Sequence, residues 1–191
     1  MKQQSFIKYL AKFILSFCVL YYGTIAFIGI SSPGGYYVDF LNKYLNYVTW
    51  LRAGLLYSST FVLDLFQYQV YLPDMYTIKL QNGRGVHIGY DCIGYGVLFF
   101  WIAFVFANTI PFASKVKWMA GGVLIIWMIN VARVCLLLVA VNNNWKSPFN
   151  FDNHTWFNIV AYAAIFTMIY FFDVAYKKHS FVDDSKEVSS N

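Results

Sequence analysis

Residues 92–114 read CIGYGVLFFWIAFVFANTIPFAS, with no charged side chain among them. A helix needs about 20 largely apolar residues to cross a hydrocarbon core of about 30 Å. This stretch is long enough to span, and it ends at a basic pair, Lys115 and Lys117. The neighbouring stretches repeat the pattern. Trp118 to Val141 is apolar apart from Arg133, and His154 to Tyr176 is followed by Lys177 and Lys178. Upstream, Phe13 to Val38 is uncharged and follows Lys2, Lys8 and Lys12. Its apolar core, Phe13 to Ile30, is too long for a signal-peptide segment, and no A-x-A-like cleavage site follows. It is expected to be an uncleaved helix with a cytoplasmic N-terminus.

Composition requires the same class. Of 191 residues, 59% are hydrophobic, 12% charged and 21% aromatic, whereas a soluble domain carries roughly 25% charged residues. A soluble chain this short could not hide so much apolar surface. The formal net charge of +5 does not indicate a nucleic-acid partner, because the basic residues sit at segment ends and form no binding face. The expected fold is all-α and polytopic. It comprises about four transmembrane helices, an interfacial or re-entrant helix and a short extracytoplasmic β-hairpin. Residues 1–178 form one integral membrane domain and 179–191 a cytoplasmic polar tail.

Leu41 to Phe66 is apolar but interrupted by Lys43, Arg52 and Asp64. It is expected to span, re-enter or lie on the outer interface, because an unpaired Arg and Asp are costly within a bilayer. If it does not cross, the N-terminal lysines, Lys115, Lys117, Lys177, Lys178 and Lys186 all fall on the cytoplasmic side, as the positive-inside rule requires. A single crossing would export most of them.

Between Gln67 and Asp91, Tyr76, Ile78 and Leu80 alternate with polar residues, as do Val86, Ile88 and Tyr90. Period-two alternation predicts strands, and Asn82-Gly83 predicts a turn. A three-residue loop, Asn82 to Arg84, would pair Leu80 with Val86, Ile78 with Ile88 and Tyr76 with Tyr90 and keep one apolar face. His87 then faces away, and His179 lies in the tail.

In this topology Cys92 opens the second spanning helix and His154 the last, both at the outer end. Arg133 lies about eight residues below the outer end of the third, roughly 12 Å down at 1.5 Å per residue, and its long side chain can reach upward. Asn130, three residues earlier, shares its face. Cys18 and Cys135 lie inside apolar runs and read as small buried residues. There is no Cys/His metal spacing, and no cofactor is expected. Together Cys92, Arg133 and His154 suit thiol acyl transfer. A neighbouring cation favours the thiolate, Arg donates to the oxyanion, and His protonates the leaving amine. Asp91 would oppose thiolate formation and is given no role. The alternative is a non-enzymatic scaffold or transporter subunit, with Arg133 paired to Asp64 as a structural tether.

Asp91-Cys92-Ile93-Gly94 resembles the Cys-x-Gly nucleophile motif of exosortases and archaeosortases. Asn130-Val131-Ala132-Arg133 resembles their N-x-x-R motif, and Phe151-Asp152-Asn153-His154 their third. The resemblance covers roughly Thr77 to Tyr170. It implies a membrane cysteine transpeptidase or protease of the bacterial inner membrane, with its active site facing the extracytoplasmic side. The implied partners are C-terminal sorting signals of exported proteins (a short motif, an apolar helix, a basic tail), with a link to exopolysaccharide export.

Overall fold

The computed structural model describes residues 2–32, 37–145 and 159–175. Helix α1 spans Lys2–Ser31, α2 Asp39–Tyr44 and α3 Tyr47–Leu65. Three short strands follow: β1 Val70–Tyr71, β2 Thr77–Leu80 and β3 Gly85–His87. A 3-10 turn, Tyr90–Ile93, leads into α4, Tyr95–Ala107, and then α5, Phe112–Asn142. These elements belong to a compact unit of residues 1–150. A second unit, 151–191, contains α6, Ile159–Ala175. The chain is mostly helical, and two of the described helices are long and apolar enough to cross a membrane, Phe6–Ser31 and Phe112–Asn142. α4 and α6 are apolar but shorter.

The apolar surface faces outward. Only 6% of the spanning window of α1 is buried, and Leu15, Val19 and Tyr22 are exposed along it. Leu124 and Met128 are exposed on α5, as is Phe61 on α3. Apolar faces of this extent require an apolar solvent, so this is a membrane protein.

α4 packs antiparallel to α1. Phe13 and Phe17 meet Phe100 edge-on, with centroids 5.3 and 6.2 Å apart, while Tyr21 meets Tyr95 at 5.8 Å. Lys12 and Lys115 gather at one end of this pair, their ammonium groups 4.5 and 5.5 Å from the Phe106 ring. α3 runs parallel to α5. Gly54 lies against Trp127 at one level, and Cys135 Sγ donates to the Ser59 carbonyl at 3.6 Å at another. Leu55, Leu56 and Leu63 of α3 close with Val134 and Leu138 of α5 over Ile78 and Val86 of the sheet, forming the main core.

The uncharged stretch 92–114 is not one helix. It divides into the 3-10 turn, α4 and the start of α5. Asn108 leaves helical geometry at ψ 145°, its amide donating back to the Phe104 carbonyl, and Pro111 then begins α5. Lys115 and Lys117 therefore lie inside α5, which begins six residues before the expected Trp118. Residues 41–66 also divide. Asn46 ends the first piece and caps α3 by accepting the Thr49 N–H at 3.0 Å. α3 stops in a Schellman arrangement, with Gln67 at φ +64°, Gln67 N–H bonded to Asp64 O and Tyr68 N–H to Leu63 O.

The strands form a three-stranded antiparallel sheet of order β1-β2-β3, not a lone hairpin. Ile78 pairs with Val86 and Thr77 with His87, two residues from the expected register. The expected apolar face survives, because a slip of two preserves it. Ile78, Val86 and Ile88 are buried, and His87 is exposed. Contacts beyond the hairpin set the register. β1 pairs along the other edge of β2, and Asn142 of α5 brackets the turn. Its amide oxygen accepts from Arg84 N–H at 2.6 Å, and its nitrogen donates to Arg84 O at 3.1 Å. A side chain on Gly83 would collide with that amide.

α4 and α5 are joined through Trp101, fully buried, whose indole N–H donates to the Trp118 carbonyl at 3.0 Å. The ring lies over Gly122, where a Cβ would overlap it, while a Cβ on Gly121 would meet nothing within 4 Å. Gly122→Ala should therefore destabilise the protein by about 1–3 kcal/mol through overpacking, and Gly121→Ala should not. Thermal unfolding of the two variants in detergent checks this. Equal melting temperatures would contradict the packing described.

Candidate active site

The site begins with backbone. Cys92 lies in the 3-10 turn and not in α4 itself. The turn is closed by Cys92 N–H to the Gly89 carbonyl at 3.1 Å, and Ile93 is buried beneath it against Val48 and Tyr95. Gly94 then adopts φ +78°, ψ 16°, a left-handed conformation that glycine enters without a side-chain penalty. This residue reverses the chain from the turn into α4.

Asn130 holds the turn from the opposite helix. It is buried, at 7% exposure, and its amide nitrogen donates to Ile93 O at 2.7 Å and lies 3.4 Å from Cys92 O. A Cβ on Gly94 would stand 3.0 Å from that nitrogen. Glycine is thus favoured twice at position 94, by its backbone angle and by the close approach of the amide. The spacing of the two sequence motifs has a physical reading here: the Asn of one motif occupies the space left by the Gly of the other.

Arg133 is on the same face of α5, one turn beyond Asn130. Its Nη2 donates to Cys92 Sγ at 3.7 Å. Cys92 and Arg133 are both half-buried and Asp91 is exposed. α4 begins two residues after the Ile93 carbonyl with no side-chain cap bond, so its N-terminal partial positive charge also lies close to the thiol.

Of the residues expected from sequence, Cys92, Asn130 and Arg133 are therefore brought together. His154 lies outside the described residues, as do Asp152 and the tail. Asp64 is exposed near the end of α3, and among the described residues it forms no ion pair with Arg133. Cys135 is buried under α3 and Cys18 is half-buried on α1. No disulfide joins the cysteines.

A second cation lies close to the turn, where the sequence shows only an interruption of an apolar stretch. Arg52 is buried at 2% exposure, with its guanidinium carbon 4.4 Å from the Tyr76 ring centroid and 4.6 Å from that of Tyr90. Tyr90 also shares a 3.1 Å hydrogen bond with Ser32. A lone Arg in an apolar stretch was the available signal.

Arranged this way, the turn supplies a thiol against a cation and an open helix N-terminus, the elements that stabilise negative charge on sulfur or on an attacked carbonyl. Asn130→Ala would leave buried carbonyls without a donor, at a cost of about 1–3 kcal/mol. Labelling of Cys92 by a maleimide should then change, whereas the fold, read by circular dichroism, should persist. Unaltered labelling kinetics would show that Asn130 does not hold the turn.

The profile of the transmembrane exosortases matches residues 10–171, most of the chain. No curated protein and no solved structure gives a significant match. On the strength of that match, this chain belongs to the transmembrane exosortase family.

Proposed function

We propose that the protein is a membrane-embedded cysteine transpeptidase or protease that cleaves C-terminal sorting signals of exported proteins through a thioacyl-enzyme. The observation that carries this reading is the 3.7 Å contact of Arg133 Nη2 with Cys92 Sγ, on a turn that Asn130 fixes through its carbonyls. Family membership supports the same chemistry. The Cys92 thiolate attacks the scissile carbonyl and forms a C–S bond. Arg133 and the α4 N-terminus stabilise the oxyanion. The C–N bond then breaks, and His154 delivers a proton to the departing amine. Water or an acceptor amine next attacks the thioester, and the thiol is restored.

The charges support an orientation. Lys12 and Lys115 mark one end of the α1–α4 pair, and the thiol turn lies at the other. We assign the lysine end to the cytoplasm of a bacterial inner membrane, with four spans formed by α1, α4, α5 and α6. The thiol and the sheet then face outward. α4 has 13 residues, about 20 Å of helix against a core of about 30 Å. That length supports a thiol set below the outer boundary, where the apolar helix of a sorting signal would emerge. A link to exopolysaccharide export belongs to the same proposal.

Reporter fusions after Lys117 should read cytoplasmic, and fusions near Asn144 exported. The reverse pattern would put the thiol on the wrong side. Cys92→Ala should abolish processing of a co-expressed sorting-signal protein, while Cys135→Ala retains it. Arg133→Lys keeps the charge but loses the planar fork. It should lower the processing rate by roughly 10² to 10³, the cost of one oxyanion donor, at unchanged membrane levels. A near-normal rate would reduce Arg133 to a structural charge.

A further inference from the structure

Arg52 is the one charged side chain that is buried among the described residues. It is a cation at 2% exposure, and its Nε has no hydrogen-bond partner among the described residues. An apolar residue of similar volume would fill this space without the desolvation penalty of a buried charge. What an apolar side chain lacks is a planar cation able to rest on aromatic faces. Its guanidinium carbon lies 4.4 and 4.6 Å from two ring centroids, well inside cation–π range.

The two rings come from different elements. Tyr76 immediately precedes β2. The chain there is fixed by the Tyr76 N–H, which donates to Asp74 Oδ1 at 2.7 Å and holds that carboxyl below its usual range, and by stacking on His87 at 5.8 Å. Tyr90 opens the 3-10 turn, two residues before Cys92. Among the described residues the two tyrosines make no ring contact with each other, and the guanidinium joins them. Tyr90 is held at its face by Arg52 and at its hydroxyl by Ser32.

We propose that Arg52 is a positioning residue, which fixes the Cys92 turn by clamping Tyr90 to Tyr76 and so ties the thiol's place against Arg133 to the sheet. The turn is then anchored at both ends, by Asn130 on its last carbonyls and by Arg52 at its first ring. This inference rests on the proposed role of Cys92, but it concerns where the thiol sits, which can be read without substrate.

The test uses the full chain in membranes, carrying Cys18→Ala and Cys135→Ala so that Cys92 is the one thiol. The rate of N-ethylmaleimide alkylation is followed against pH. Arg52→Met removes the planar cation and should move the profile to higher pH, toward that of Arg133→Ala. Alkylation near neutral pH should slow by about 10-fold or more, because a thiol moved away from Arg133 loses the cation that favours its thiolate. Arg52→Lys should not rescue the profile, whereas Tyr76→Phe, which keeps the ring, should match the parent. A parental profile for Arg52→Met at matched membrane levels overturns the proposal. Should that variant fail to accumulate, Tyr90→Leu against Tyr90→Phe carries the comparison, and equal profiles overturn it. If Cys92→Ala still processes substrate, the enzymatic reading falls, yet the alkylation profile still decides whether Arg52 positions the turn.

Discussion

The amide of Asn130 against the carbonyls of Ile93 and Cys92 is the interaction on which the site depends. A helix satisfies its own backbone, but a turn within an apolar surround does not, and each orphaned carbonyl there costs free energy. The thiol is carried on such a turn. The amide that satisfies it comes from the neighbouring helix, so turn and helix cannot move independently. The rest follows from that bond. Glycine at position 94 takes the left-handed angle and leaves the amide room to approach. Arg133, one helical turn further along α5, is delivered to the sulfur by the same spacing.

Much of this was legible in the sequence, and what was hidden has physical causes. The apolar runs named the class, and the alternation around Ile78, Val86 and Ile88 found the buried face of the sheet, because burial repeats with the geometry of each element. That Asn130 and Arg133 share a face followed from helix periodicity, and Cys92 was brought to their level by the topology read from the charges. The break at Asn108–Pro111 was hidden by composition, since Phe112, Ala113 and Ser114 are as uncharged as the helix before them. The hairpin turn is held by Asn142, distant in sequence, and its other edge by the two-residue β1, too short to show a periodicity, so the turn residues alone could not report the register. Arg52 looked like an interruption in an apolar segment. Its two tyrosine partners lie outside that segment, and a linear reading cannot pair them.

The distribution of polar groups separates two regions of the first unit. Where α1, α4 and the start of α5 meet, contacts are mostly aromatic and aliphatic, with Trp101 spending its one N–H on a helix carbonyl. Around the turn and the sheet, side-chain hydrogen bonds from Asn130, Asn142, Arg84 and Tyr90 become frequent. Each has a partner from another element. These bonds order short strands and turns that hydrophobic packing alone would specify poorly, because a two- or three-residue strand has little surface to bury.

The parallel packing of α3 on α5 has a consequence for biogenesis. The chain completes α3 at Leu65, but its partner helix is complete only at Asn142, about 80 residues later. At synthesis rates of about 5–20 residues per second, the interval is roughly 4 to 16 s. Arg52 gains its two tyrosines within about the first 25 residues of that interval, but Ser59 lacks until near its end the Cys135 thiol that will bond its carbonyl. A nascent helix with that composition must wait at the membrane surface or beside the insertion machinery until the later segments arrive. The early helix therefore docks late, because the α5 residues that cover it are made long after it.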